Sequence, residues 1–330
     1  MQDTKGKKHR SSFNINIYIP YIILVCLILV MNLNQPGLVN FRWLNRQADS
    51  WVTLALVGIG QTLVFMIGGT DLSVGGIICF TNCLAAVYMP ESVPGMIAIS
   101  IGVIVLGTLA GAFNGFIIVK FNLQPFIATL ATWAIWYGAA LCLLSTDGGK
   151  VPPAFSEFFI RSFQNLGGLR VSMLILIALI VIGIFFKASS LGIAIRAIGG
   201  NEKGAYFGGI NVTLSKIKVY AISGMLAGMS GLFRTAQANS GSPTAGNDFI
   251  LLSCASAVIG GCSSTTGHFS FAGAIAGAAI MRLLTSLMVS AGVSSYMTSV
   301  FQGLILIVTV IVNSLGDIMR EKKKMEVSPK

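Results

Sequence analysis

The chain has 330 residues, 54% hydrophobic and only 10% charged, with a formal net charge of +11. A soluble domain carries about 25% charged residues, so this composition leaves no room for a separate soluble domain. The positive charge lies at the two termini and between apolar runs, which argues against a nucleic-acid surface and for charges that set membrane orientation.

A basic tail, residues 1–14 with Lys5, Lys7, Lys8 and Arg10, precedes the apolar segment 15–33. That segment is longer than a signal-peptide core, and no small-residue cleavage pattern follows it, so it reads as an uncleaved first span. Residues 51–70, 72–90, 92–119, 121–146 and 283–316 carry no charge. A run of about 18 such residues crosses the ~30 Å hydrocarbon core as a helix. Asp71, Glu91, Lys120 and Asp147 stand at the breaks, so short turns join several helices. The pattern predicts an all-α polytopic membrane protein of ten transmembrane helices. The spans lie near 15–33, 50–69, 74–90, 94–119, 125–145, 171–187, 217–238, 249–262, 270–291 and 297–316. Residues 15–316 thus form one transmembrane domain, and 317–330 form a basic C-terminal tail.

An even number of spans puts both termini on one side. With that side cytoplasmic, fifteen of the 22 basic residues lie inside and five outside, while Arg234 and Arg282 fall within spans. This is the expected positive-inside bias. Gly69-Thr70-Asp71-Leu72 after the second span is echoed by Gly246-Asn247-Asp248-Phe249 after the seventh. The two spans run in opposite directions, which suggests an inverted repeat of helices 2–5 and 7–10, a common transporter plan.

The stretch 67–76 sets an acid and two hydroxyls among Gly68, Gly69, Gly75 and Gly76. Non-helical backbone at membrane depth survives only where protein buries it or it lines water. Asp71 reads as a cap for the first turn of the third helix, within a turn that is functional as a whole. The loop 188–216 is the longest on the inner side. It has room for two short helices around Gly199-Gly200, with Asn201 or a neighbour capping the second. Tyr206 and Phe207 suit docking on a protein, and an interfacial loop at lipid headgroups is the alternative.

Arg282 sits mid-span, where a structural acid or carbonyl is the ordinary partner and binding of an anionic solute is the alternative. Arg234 is nearer a span end and reads as snorkelling. The six cysteines all lie in apolar runs and read as small buried hydrophobes. His268 has no companion ligands nearby in sequence. No G-x-x-x-x-G-K-[ST] occurs, so the chain has no P-loop of its own. No catalytic set and no metal site are predicted.

The run Gly-Gly-Thr-Asp-Leu-Ser-Val-Gly-Gly at 68–76 resembles the signature of the permease subunits of bacterial ribose-type ABC sugar importers. Ala197-Ile198-Gly199-Gly200-Asn201-Glu202 followed by Gly209-Ile210-Asn211-Val212 resembles that family's coupling region. Pro243-Thr244-Ala245-Gly246 and Ala257-Val258-Ile259-Gly260-Gly261 are similar to further family motifs. The resemblance spans about residues 50–315 in the family's order. It implies a non-enzymatic translocation subunit of the bacterial cytoplasmic (inner) membrane, multi-pass, with both termini cytoplasmic. The implied partners are a cytoplasmic ABC ATPase, a periplasmic or lipid-anchored solute-binding protein, a second permease copy or paralogue, and membrane lipid, with no nucleic acid. ATP and Mg would reside on the ATPase, and this chain would bind no cofactor. Substrates of the family are pentoses, hexoses or related small polar solutes.

The resulting site expectations are threefold. Gly68, Gly69, Asp71, Ser73, Gly75, Asn82, Asn114, Thr285 and Ser286 line or adjoin the translocation pathway. Ile195, Arg196, Ile198, Gly199, Gly200, Asn201, Glu202, Tyr206 and Phe207 couple to the ATPase. Arg42, Arg46, Arg161 and Arg170 face the outer side, where the positive-inside rule disfavours them, and are expected to dock the binding protein. The chain departs from the family at Leu251, Leu252 and Ser253, where an acidic pair is frequent. It departs again at Thr266-Gly267-His268-Phe269, at Thr285-Ser286 in place of Asn-Asn, and at Arg282 in place of a small residue. These departures leave the solute open, including a non-sugar such as a nucleoside. A self-sufficient secondary transporter or channel is the alternative class.

Overall fold

Among the described residues each apolar run forms helix, because a backbone in hydrocarbon must satisfy its own hydrogen bonds. The computed structural model describes residues 18–305 apart from 161, 164–167, 264–266 and 295, together with 307 and 311. In chain order the helices are α1 (Ile19–Asn34), α2 (Phe41–Met66), α3 (Ser73–Tyr88), α4 (Val93–Lys120), α5 (Pro125–Leu143) and α6 (Pro153–Ile160). A two-residue ribbon follows, β1 (Ser162–Phe163) antiparallel to β2 (Leu169–Arg170). Then come α7 (Val171–Ala188), α8 (Ser190–Gly200), α9 (Glu202–Phe207), α10 (Val212–Ala238), α11 (Asn247–Ile259) and α12 (Phe271–Ser290). Residues 296–305 are helical as well. Both tails, and most of 306–316 in the expected last span, lie outside the described residues.

Five of these helices, α2, α4, α5, α7 and α12, are long and apolar enough to cross a membrane. The molecule is an all-α membrane protein. Helix α10 is longer than most, at 27 residues, but its lysines and hydroxyls lower its hydropathy.

Two elements differ from expectation. Helix α2 begins at Phe41, about two and a half turns before the charge-free run near 50. Asn40 caps it, its side-chain oxygen accepting the Trp43 N–H at 2.9 Å. Trp43, Asn45 and Ala48 are buried while Arg42 and Arg46 are exposed, so this opening segment is amphipathic rather than uniformly apolar. Helix α6 fills part of the loop between α5 and α7, where Phe155 and Phe159 pack edge-on and Phe159 meets Phe233 of α10.

Helix α2 is the hub, with Val52, Leu54 to Val57, Ile59, Leu63 and Val64 entirely enclosed. It packs on α10, α12 and α11, while α10 packs on α2, α4 and α3. The α4–α10 seam is glycine-lined: a Cβ at Gly111 would collide with the Tyr220 carbonyl, and one at Gly224 with the Gly107 carbonyl. Small residues let two helices approach where no hydrophobic effect drives them together. The opposite face of α4 shows Ile97, Ile101, Val105 and Leu109, a stripe suited to lipid. Cys26 and Cys142 are exposed in the same way, unlike buried Cys79, Cys83 and Cys254, so the expected burial of all six cysteines does not hold.

Candidate functional site

Helix α2 stops at Met66 and α3 starts at Ser73, leaving 67–72 non-helical. Gly68 takes a φ of +73°, a conformation that strains a residue with a Cβ. Gly69 is needed for space, since a Cβ there would strike the Tyr220 hydroxyl. Asp71 follows, fully buried. Its Oδ1 accepts the Ser73 N–H at 3.1 Å and the Ser73 hydroxyl at 2.6 Å, and its Oδ2 accepts the Ser223 hydroxyl at 2.8 Å. Asp71 therefore holds the first turn of α3 from just ahead of it, and at the same time reaches α10. Asn114 of α4 donates to the Ser73 hydroxyl at 2.7 Å, and Thr129 of α5 accepts the Leu72 N–H at 3.1 Å. One six-residue break is thus tied to three other helices.

The second interruption, 239–246, packs along α3, which begins where the first break ends. A Cβ at Gly75 would collide with Ile250 and crowd the Gly246 carbonyl. Cys79 accepts the Gly246 N–H at 3.2 Å. Asn82 donates to Thr235 at 2.8 Å and accepts the Ser242 N–H at 2.6 Å. Asn82 therefore fastens α3 to the end of α10 and to the loop beyond it. Asp71, Ser73, Asn82 and Asn114 are all buried, so they build the break and do not line an open surface. Thr285 donates to the Met281 carbonyl at 2.9 Å and accepts from Gln302 at 3.0 Å. Neither Thr285 nor Ser286 bonds to the network. Ser223 belongs to the network, and Tyr220 packs beside Gly69 with its hydroxyl unbonded among the described residues; the sequence singles out neither. The available signal was that a buried carboxylate needs donors, but Ser223 lies 152 residues away.

On the loop 188–216, α8 and α9 are the two expected short helices. Ser189 caps the first by accepting the Gly192 N–H at 3.1 Å, and Asn201 caps the second by accepting the Gly204 N–H at 2.9 Å. Ile195 and Ile198 are buried, while Arg196, Gly200, Asn201 and Glu202 are exposed. A Cβ at Gly199 would collide with the carbonyl of Met66. The inner face of α8 therefore rests on the residue just before the Gly68 break. On the other side, Tyr206 and Phe207 are 67% and 84% exposed, their rings 5.8 Å apart. Arg196 bonds back to the Lys187 carbonyl at 2.7 Å, and Glu202 pairs with Lys216 at 2.7 Å.

The outer arginines separate into two kinds. Arg42 and Arg46 are exposed. Arg170 instead forms an ion pair with Asp49, whose other oxygen accepts the Ser172 hydroxyl at 2.6 Å, and the Gln237 amide donates to the Asp49 carbonyl. Arg170 thus ties the start of α7 to α2, and Asp49 in turn is reached by Gln237 of α10. Arg161 lies outside the described residues. On the rim that carries Asn239, a cleft of about 340 Å³ is lined by Lys150, Glu157 and Asn239 among others.

Inside the bundle, Arg282 lays its guanidinium over the Phe249 ring at 4.8 Å. Among the described residues neither it nor Arg234 forms an ion pair, so the acid partner expected for Arg282 is not paired with it. His268 places Nδ1 3.4 Å from the Gly261 carbonyl, and burial holds its imidazole below the usual range. No cluster of metal-ligating side chains occurs among the described residues.

Residues 48–310 match the family described as branched-chain amino acid transport system / permease component. The ribose import permease protein RbsC of Haemophilus influenzae is 32% identical over 306 residues, covering 91% of this chain and 93% of that protein. RbsC of Bacillus subtilis is 31% identical over 300 residues, covering 89% and 91%. The D-allose transport system permease protein AlsC of Escherichia coli is 32% identical over 262 residues, covering 79% of each.

Proposed function

The chain belongs to the family of these transport-system permease components, as a ribose-type ABC permease, and from that premise we propose that it is the membrane-spanning subunit of an ATP-driven importer for a small polar solute of the sugar class. The names of the relatives, which include ribose, D-allose and galactose permeases, support the solute class.

The single observation that carries the mechanism is the seat of Gly199 on Met66. A cytoplasmic ATPase, with ATP and Mg bound to it, grips the exposed Tyr206–Phe207 pair. Its closure displaces α9 and α8, and the buried Ile195 and Ile198 transmit the push. The push arrives at the end of α2, beside a six-residue break that can change angle without breaking helix hydrogen bonds. Asp71 and its donors keep that break from collapsing into a random turn. Packed helices switch between discrete arrangements rather than deforming smoothly, so the break acts as a hinge between outward-open and inward-open forms.

The full architecture in this reading has ten helices with both termini cytoplasmic. The inverted repeat is supported by matching pairs: α10 packs on α4 and α3 as α2 packs on α12 and α11. A second permease copy or paralogue completes the pathway, and a solute-binding protein docks on the outer rim near Arg42 and Arg46. The test is association: the tagged chain with its ATPase, with and without charge at positions 206 and 207. Loss of the ATPase on charging this pair supports the reading, and unchanged association overturns it.

A further inference from the structure

Among the described residues, two arginines within the helices have no acceptor for their buried Nε. Arg234 on α10 and Arg282 on α12 are half-buried, and the Nε of each is buried without a hydrogen-bond partner. The ion pairs among the described residues are Arg170–Asp49 and Lys216–Glu202, so neither guanidinium is paired. The two lie within electrostatic range of each other and of Asp248 at the start of α11. Asp248 is exposed and makes no salt bridge to either. Among the described residues, the charges named at this point are two positive and one negative. Phe249, itself buried, carries the Arg282 guanidinium on its face, an arrangement that steadies a cation without neutralising it.

An arginine keeps its charge even where burial would strip a lysine of its proton. Each guanidinium offers five N–H donors in a planar fork, and that fork matches the two oxygens of a carboxylate or phosphate. Intramembrane charges face a bundle interior or a water-filled space. These two stand where α10 ends and α11 begins, at the second interrupted segment, and solute sites in transporters gather at such interruptions. An uncharged sugar would leave the surplus positive charge unbalanced.

We propose that Arg234 and Arg282 form an intramembrane oxyanion site that receives the carboxylate or phosphate group of a small polar solute. The inference rests on the transport reading above and narrows it from neutral sugars to solutes such as sugar acids.

The test uses the full chain purified into nanodiscs of phosphatidylcholine alone, with gluconate, glucose and inorganic phosphate as probes. Gluconate or phosphate should raise the unfolding midpoint where glucose does not. Arg282→Gln and Arg234→Gln should each abolish that shift. Arg282→Lys, which keeps the charge but not the fork, should leave a reduced shift, and it serves as the readout if a Gln variant does not fold. A second set of nanodiscs contains phosphatidylglycerol. A shift produced by that lipid and not by gluconate assigns the arginines to lipid headgroups and overturns the proposal. Equal shifts in wild type and Arg282→Lys overturn it as well. Absent gluconate binding alongside ATP-driven uptake would remove this inference alone. Gluconate binding alongside uptake that ignores ATP would remove the transport reading and leave the site.

Discussion

Replacing Asp71 separates a hinge held by hydrogen bonds from one held by packing alone. In Asp71→Leu three buried donors lose their acceptor: the Ser73 N–H, the Ser73 hydroxyl and the Ser223 hydroxyl. An orphaned buried donor costs about 1–3 kcal/mol. The two hydroxyls can rotate toward other acceptors, whereas the Ser73 N–H is fixed by the start of α3. The expected total is therefore about 3–5 kcal/mol, at the low end of the three-donor sum. Asp71→Asn keeps a carbonyl oxygen for both Ser73 bonds and turns its amide toward the Ser223 oxygen, so it should cost about 1 kcal/mol. Thermal unfolding of the purified variants in detergent gives the ranking, and solute uptake by cells producing them gives the consequence. The Leu variant should melt well below the Asn variant and lose uptake. Equal midpoints for Leu and Asn would refute the network as the support of the break.

Gly199→Val drives a side chain into the Met66 carbonyl, an overpacking worth about 1–3 kcal/mol. It should uncouple ATP hydrolysis from uptake while the ATPase still binds, as measured by the two rates side by side. Tyr206→Asp with Phe207→Asp alters exposed side chains and should leave stability within about 0.5 kcal/mol. Co-purification of the ATPase should nevertheless fail. Arg170→Ala breaks the Asp49 pair and should lower stability by about 1–3 kcal/mol, the range for a hydrogen bond to a charged group. Arg42→Glu with Arg46→Glu should leave the melting midpoint in place and lower the stimulation of ATP hydrolysis by the binding protein. Equal thermal loss in both sets would show that the outer arginines are all structural.

The break and the coupling helices were legible because each is written locally. Glycines around a lone acid in an apolar run forecast non-helical chain, and 67–72 is non-helical. Gly199-Gly200 followed by Asn201 forecasts a second short helix capped there by Asn201 or a neighbour, and Asn201 accepts the Gly204 N–H. The start of α2 was not legible from hydropathy, since Arg42, Arg46 and Asp49 interrupt the apolar run. The inward face of Trp43, Asn45 and Ala48 continues the helix all the same. What joins distant parts of the chain escaped in the same way. Asp49 and Arg170 are 121 residues apart, and nothing local marks either as the other's partner. Arg282 shows the same limit: a cation at mid-span suggests a paired acid or carbonyl, and the fold lays it on an aromatic face with Asp248 in range but unpaired.

The most direct measurement is uptake of radiolabelled solute into proteoliposomes that hold this chain and its ATPase, with the binding protein outside. The account predicts uptake that requires ATP inside the vesicles and stops when the ATPase is left out. Uptake by this chain alone, driven by an ion gradient and indifferent to ATP, would contradict it.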